Sequence, residues 1–244
     1  RTQAKEFTFD HEKINQIFYI PSNNAFKESI WIFKHIINSN YEKCFIFHYG
    51  LRYYLLSKLA GIKKVFSYGI FKKNENIVEK SRNFIIEKLK LKNANFEFNI
   101  NFKHNIQKKE QIIFGIGGSG QDKKWDINYF VRLGILLNEK NNFRYIIAGG
   151  KNEIKDCDYI IKNLKLKNID AISLCDLNIK STLPFLASSK FYVGNDTGFM
   201  HLSGCLGIKS FGLFGRTSTN YCSYNDNIFP ISLPEDQRVN ISRL

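Results

Sequence analysis

Short apolar runs alternate with longer amphipathic segments along most of the chain, and this alternation constrains the fold more than any other feature. In the second half, residues 111–116 and 144–148 have the length and composition of buried strands, and each is followed by a segment of helical period. Strands that alternate with helices are typical of a parallel sheet covered by helices on both faces. The sequence therefore predicts an α/β protein.

The same pattern occurs on both sides of a polar, Asn- and Lys-rich stretch at residues 92–110, which we interpret as an interdomain connection. Strands are predicted at residues 17–20, 44–48, 64–68, 111–116, 144–148, 171–174, 190–193 and 210–214. Helices are predicted at residues 25–38, 51–60, 76–91, 126–138, 153–164, 181–188 and 199–206. This arrangement predicts two Rossmann-like domains, at 1–108 and 109–232, followed by a tail at 233–244.

The first domain has few predicted strands for a doubly wound sheet. The chain begins at Arg1, and its one methionine is Met200. We therefore expect a processed form or a piece of a longer protein, in which the opening strands of the first domain precede this chain.

Composition excludes some classes of protein and leaves others open. No run of 18 apolar residues occurs, so no transmembrane helix is expected. Five scattered cysteines favour reduced thiols in a cytosolic protein over a disulfide scaffold or a zinc site. Residues 1–110 carry 20 basic and 10 acidic side chains of a chain with net charge +14, which suits an anionic partner or a solvated lysine-rich surface equally well.

Three glycine-containing loops follow predicted strands, at the sheet edge where parallel sheets bind ligands. The first, residues 117–125, offers backbone N–H groups together with Ser119 and Lys123, which suit a phosphate; a glycine-rich turn with an incidental lysine is the alternative. The second contains Glu153, which could accept from ribose hydroxyls or could simply favour the first turn of a helix.

The third loop, residues 194–201, precedes a short helix. Asp196 or Thr197 could cap that helix, so that its N-terminal N–H groups face an anion, and Gly198 leaves room for a pyrophosphate. His201 falls in the first turn, where contact with a ligand and a purely structural role are equally supported. The five histidines are far apart in sequence, so a metal cluster has little support.

Taken in order, these motifs resemble glycosyltransferase family 9, the ADP-heptose:lipopolysaccharide heptosyltransferases and their relatives. The resemblance rests on G-G-S-G-Q-D-K-K-W at 117–125, G-G-K-N-E at 149–153, V-G-N-D-T-G-F-M-H-L-S-G-C-L-G at 193–207 and L-F-G-R-T at 213–217. It covers about 111–230 and extends more loosely to 41–69.

The resemblance implies a GT-B fold, with two Rossmann-like domains of which the N-terminal one is incomplete here, and an inverting, metal-independent transfer without a cofactor. It implies that the C-terminal domain binds a nucleotide sugar, with ADP-heptose favoured, and that the N-terminal domain binds an anionic glycolipid acceptor. Such an enzyme would be cytoplasmic, compatible with peripheral contact at the inner face of the inner membrane. The sequence has no RRM, KH or helix-turn-helix pattern, so no nucleic-acid partner is expected. Carried over by position, the donor-binding residues are Gly118, Ser119, Lys123, Glu153, Asp196, Thr197, Gly198 and His201.

Two departures keep alternatives open. The Gly-Asp loop that supplies the family's presumed general base has no counterpart in residues 1–40, so no catalytic residue is named, and a truncated or degenerate GT-B protein that binds without catalysis is the second hypothesis. Arg216 stands where the family often has proline, and it could either reach a phosphate or be a solvated side chain.

A third hypothesis, a nucleotide-dependent oxidoreductase, rests on G-x-G-x-x-G at 115–120, but the predicted helix begins too far beyond Gly120 for a dinucleotide fingerprint.

Overall fold

The structure, a computed structural model, describes residues 15–20, 24–70, 76–92, 106–215, 218–222 and 224–234. The chain divides into two compact units, residues 1–96 and 97–244. This division falls within 93–105, which lies outside the described residues, and upstream of the expected boundary at 108/109. The expected domain limits therefore stay a prediction.

The described part of the first unit contains a two-stranded parallel sheet and three helices. These are α1 (Ala25–Ile36), β1 (Lys43–Ile46), α2 (Arg52–Leu59), β2 (Lys64–Ser67) and α3 (Ile77–Leu89). Asparagines begin two of the helices: the Asn24 side chain accepts from the N–H of Phe26 and Lys27, and Asn76 caps α3 in the same way. All five elements were predicted from the sequence.

The strand predicted at 17–20 is wrong. Residues 15–20 are described and form neither a strand nor a helix. The Phe18 ring instead lies edge-on to Trp31 and His35 of α1, with ring centroids 6.2 and 5.3 Å apart. The apolar and aromatic residues of this segment thus pack against a helix. A run of only four apolar residues cannot show whether it will pair in a sheet or pack against a helix.

The second unit contains a six-stranded, wholly parallel sheet in the order β5-β4-β3-β6-β7-β8. Its strands are β3 (Gln111–Gly115), β4 (Arg144–Ala148), β5 (Ala171–Ser173), β6 (Phe191–Asn195), β7 (Lys209–Phe214) and β8 (Ile228–Ser232). Its helices are α4 (Ile127–Asn138), α5 (Ile154–Lys165), α6 (Ile179–Ala187) and α7 (Gly198–Cys205). The order reverses between β3 and β6, so the topological switch point of a doubly wound sheet lies there. The predicted α/β class with parallel sheets is confirmed.

The edge strand β8 was not predicted. It pairs with β7 in parallel, with Ile228 opposite Ser210, and contains Pro230. Proline has no N–H to donate and is tolerated on an edge strand, where one side of the backbone needs no partner. Because proline is rare inside strands, the sequence pattern did not indicate one here.

The core of the second unit lies around β3 and β4, whose apolar side chains are fully buried. Phe114 and Tyr145 pack with Phe130 of α4 and Leu164 of α5 in one cluster. Burial of this kind explains why the strands read as continuous apolar runs. Within the ranges given above, no helix is both long enough and apolar enough to span a bilayer.

Because the Tyr145 phenol is buried in this core, we predict that the free energy of unfolding falls at alkaline pH. Its hydroxyl donates to the Gly134 carbonyl oxygen at 2.8 Å, and burial raises the pKa of Tyr145 from 10.0 to about 12. Because the folded pKa exceeds the unfolded value, the stabilisation is complete below about pH 10 and is lost as the pH rises to about 12. We expect the free energy of unfolding, measured with urea between about pH 9 and about pH 11.5, to fall less steeply in Tyr145→Phe than in the wild type. Equal slopes would contradict this account.

Candidate functional site

Three loops at the carboxyl ends of β3, β4 and β6 surround one cavity of about 730 Å³. Two of these loops flank the switch point between β3 and β6, where the chain diverges to opposite sides and leaves a crevice. All eight residues assigned to donor binding from the sequence line this cavity. The three predicted loops are therefore brought together in space.

The loop after β3 contributes Gly118, Ser119 and Lys123 to the cavity wall. A 3₁₀ turn at Gln121–Lys123 carries the lysine, and the helix α4 begins only at Ile127. Among the described side chains, none forms an ion pair with Lys123. Its ammonium group is therefore available to neutralise a bound anion.

Glu153, from the loop after β4, is held on two sides. Lys124 Nζ lies 2.9 Å from Glu153 Oε1, and the Gly150 N–H donates to Glu153 Oε2 at 2.8 Å. The Lys124 side chain is 15% exposed and the Glu153 side chain 10% exposed, so the pair is nearly withdrawn from water. Sequence reasoning named Lys123 and Glu153 but missed Lys124, since nothing in K-K distinguishes the lysine that pairs from the one that does not.

The loop after β6 contributes Asp196, Thr197, Gly198 and His201. Thr197 occupies the N-cap position of α7 in an extended conformation, but its side chain makes no capping hydrogen bond; its Oγ1 lies 3.3 Å from the Tyr192 hydroxyl. The N–H groups of Gly198 and Phe199 have no acceptor among the described residues. These two donors, at the positive end of a helix, suit an anion.

His201 has a partner at each ring nitrogen. Nδ1 lies 2.5 Å from the Tyr224 hydroxyl, and Nε2 lies 3.5 Å from Asp196 Oδ1. The His201 and Tyr224 rings also stack, at 5.8 Å between centroids. Neutral imidazole satisfies both contacts when Nε2–H points to the carboxylate and Nδ1 accepts from the phenol. Tyr224 follows the last predicted strand and was not singled out in the sequence.

Asn195, the last residue of β6, joins two of the loops. Its side chain is fully buried; Nδ2 donates to the carbonyl oxygens of Ile116 and Gly117, both at 3.0 Å, and Oδ1 accepts from the Trp125 N–H at 2.9 Å. An asparagine amide can make all of these bonds at once. Asn195 therefore fixes the loop after β3 against the strand that leads to α7. Sequence reasoning quoted it within G-N-D-T-G without giving it a role.

Packing against a buried tyrosine explains the glycine at position 115, and this explanation removes the main support for the oxidoreductase hypothesis. A Cβ there would lie 1.7 Å from the Tyr192 hydroxyl, which donates to the Asn195 carbonyl oxygen at 2.9 Å. This first glycine of G-x-G-x-x-G thus makes room for a buried tyrosine, and burial raises the pKa of that phenol. The pattern is met without a dinucleotide fingerprint, in which the helix would begin directly after the last glycine.

Two other questions raised by the sequence concern the cysteines and the catalytic base. All five cysteines fall within the described residues, and each is a free thiol. Arg216 lies outside the described residues, and so do residues 1–14 of the segment in which a Gly-Asp loop was sought.

The chain is similar in sequence to known glycosyltransferases. The profile of glycosyltransferase family 9 (heptosyltransferase) matches residues 45–242. Lipooligosaccharide heptosyltransferase 2 of Campylobacter jejuni is 30% identical over 154 residues, which cover 59% of this chain and 48% of that protein. The chain thus spans about half the length of this relative.

Two solved structures share the fold at low sequence identity. The Escherichia coli heptosyltransferase WaaC with ADP superposes with a TM-score of 0.67 at 16% identity, covering 91% of this chain and 76% of that one. The family 9 glycosyltransferase of Veillonella parvula gives a TM-score of 0.74 at 12% identity, covering 95% and 75%. With the profile match over most of its length, the chain belongs to glycosyltransferase family 9.

Proposed function

We propose that this chain is, or forms part of, an inverting, metal-independent glycosyltransferase. It would move a heptose or a related sugar from a nucleotide-sugar donor to a lipopolysaccharide core or another cell-envelope glycan. The observation that carries the proposal is the single cavity at the switch point, lined by all eight residues to which the family resemblance assigns donor binding. The relatives support the donor class, since one is named a lipooligosaccharide heptosyltransferase and another was solved with ADP.

The cavity offers a separate group for each part of such a donor. Ser119 and Lys123 would bind phosphate oxygens, and Gly118 would let the backbone approach them. Glu153 would accept from ribose hydroxyls. Asp196, Thr197, Gly198 and His201 would line the pyrophosphate and the sugar.

These groups also suit the departure of a nucleoside diphosphate. In an inverting displacement an acceptor hydroxyl attacks the anomeric carbon while the bond to the diphosphate oxygen breaks on the opposite face, so negative charge accumulates on the leaving group. The Lys123 ammonium and the N–H groups of Gly198 and Phe199 would stabilise that charge from fixed positions. The hydroxyl proton must pass to a base that we do not assign.

The acceptor and the location are the remaining parts of the proposal. An anionic glycolipid acceptor suits the excess of basic residues in 1–110. An enzyme that builds a cell-envelope glycan from a nucleotide sugar would work in the cytoplasm, a location compatible with peripheral contact at the inner face of the inner membrane.

The proposal is tested by calorimetric titration of the chain with ADP, UDP and GDP. We expect ADP to bind most tightly and Lys123→Ala to weaken its binding by about 1–3 kcal/mol, the cost of losing a charged phosphate contact. Lys140→Ala, an exposed lysine outside the cavity, is the control and should bind like the wild type.

The other outcomes separate the alternatives. Tighter binding of UDP or GDP would keep the site and change the donor. Failure of all three nucleotides to bind would refute the assignment of the cavity. ADP binding without transfer by the longest native form of the protein would favour the non-catalytic alternative.

A further inference from the structure

We propose that Lys124 determines recognition of the donor's ribose by holding the Glu153 carboxylate in place, and that it does not bind phosphate. The inference rests on the proposed function, because it assumes a nucleotide in the cavity. It assigns different tasks to two adjacent lysines: Lys123 neutralises the ligand, and Lys124 neutralises and orients a residue of the protein.

Two contacts hold the Glu153 side chain in place. Its two oxygens are held from different directions, by Lys124 Nζ at 2.9 Å and by the Gly150 N–H at 2.8 Å. The stem of Lys124 packs closely against Gly118, because a Cβ built on that glycine would lie 2.8 Å from Lys124 Cγ. The pair therefore joins the loop after β3 to the loop after β4 across the cavity wall.

The charge balance points the same way. A carboxylate that is 10% exposed and lies in the wall of a diphosphate site would repel the ligand unless it were compensated. Lys124, 15% exposed and in contact with it, supplies that compensation. Its charge is thus directed at Glu153, whereas Lys123 forms no such pair with any residue in the described part of the chain.

The held carboxylate retains capacity for a ligand. An ionised carboxylate has about four lone-pair positions, and two of those of Glu153 are occupied by Lys124 and Gly150. Glu153 lines the cavity, so its remaining positions can accept from two neighbouring hydroxyls. The vicinal diol of a ribose presents that pair of donors, and a 2′-deoxyribose presents one fewer.

The test compares the affinities of ADP and 2′-deoxy-ADP in the wild type and in matched lysine variants. We expect the wild type to prefer ADP by about tenfold, the value of one hydrogen bond to a charged group. Lys124→Met should reduce this preference to near unity. Glu153→Gln should reduce it in part, and Lys124→Arg, which keeps the charge, should retain it. Lys123→Met should weaken both nucleotides by the same factor and leave the preference unchanged.

The preference is the ratio of two affinities measured on the same variant. Unfolded protein in the sample lowers the number of sites for both nucleotides equally, so it does not change this ratio. Lys124→Gln replaces Lys124→Met if the latter does not fold: glutamine is uncharged and one bond shorter than lysine, so the preference should fall in this variant as well. A wild-type preference for ADP retained in Lys124→Met would show that Lys124 does not hold Glu153 for the ribose, and it would overturn this inference while leaving the proposed function intact. Failure of wild-type protein to bind ADP would instead refute the proposed function on which the inference stands.

Discussion

Replacing Gly194 with alanine is expected to destabilise the second unit by at least about 3 kcal/mol, at the upper end of the cost of overpacking. Gly194 lies in β6 opposite Gly115 of β3, and a Cβ built on it would be 2.3 Å from the Gly115 carbonyl oxygen and 2.6 Å from its Cα and N. All three are backbone atoms of a fully buried strand, so no side chain can rotate away to relieve the contact. The two strands at the switch point would have to separate.

A matched substitution a few residues along the chain separates stability from binding. Gly198→Ala introduces the same methyl group where no atom lies within 4 Å, at the cavity and at the start of α7. We expect its unfolding midpoint to equal that of the wild type while ADP binding weakens, because the methyl occupies space proposed for the pyrophosphate. Urea unfolding and nucleotide titration measure the two effects. A wild-type midpoint for Gly194→Ala would contradict the close approach of β3 and β6.

The sequence predicted most elements of the second unit because local patterns determine them. The strand at Arg144–Ala148 was predicted with its observed bounds, since a buried parallel strand reads as an apolar run between polar ends. The three loops were found for a related reason: glycines and polar residues after such runs mark the edge of a parallel sheet where ligands bind. Because β4, β3 and β6 are neighbours in one parallel sheet, the loops that follow them lie together at one edge.

What the sequence did not reveal depends on contacts between distant residues. Lys124 pairs with a glutamate of another loop, and Tyr224 meets His201 from beyond β7. Neither residue type nor spacing indicates such a partner. Likewise, β8 is a strand because β7 offers it an unpaired edge, a tertiary effect that outweighs the presence of Pro230.

Asn195→Asp is expected to destabilise the second unit by about 3–5 kcal/mol at neutral pH, because it places an uncompensated charge in a buried position. The change preserves the shape of the side chain and the acceptor for the Trp125 N–H. It replaces the donor that serves the carbonyl oxygens of Ile116 and Gly117 with an oxygen that repels both. Because the same bonds fix the loop after β3, ADP binding should weaken as well.

The pH dependence distinguishes this mechanism from a general intolerance of position 195. Burial and two facing carbonyl oxygens disfavour the charged form of the introduced carboxyl, so its folded pKa lies above the unfolded value of about 3.9. Stability relative to the wild type is then highest below about pH 4 and is lost as the pH rises through the folded pKa. Asn178→Asp is the control: Asn178 caps α6 only as an acceptor, from the Ser181 N–H and hydroxyl, so an ionised aspartate should serve equally well at both pH values used below. Urea unfolding of both variants at about pH 4.5 and about pH 7.5 measures the effect, and a deficit in Asn195→Asp that does not change with pH would show that charge is not its cause.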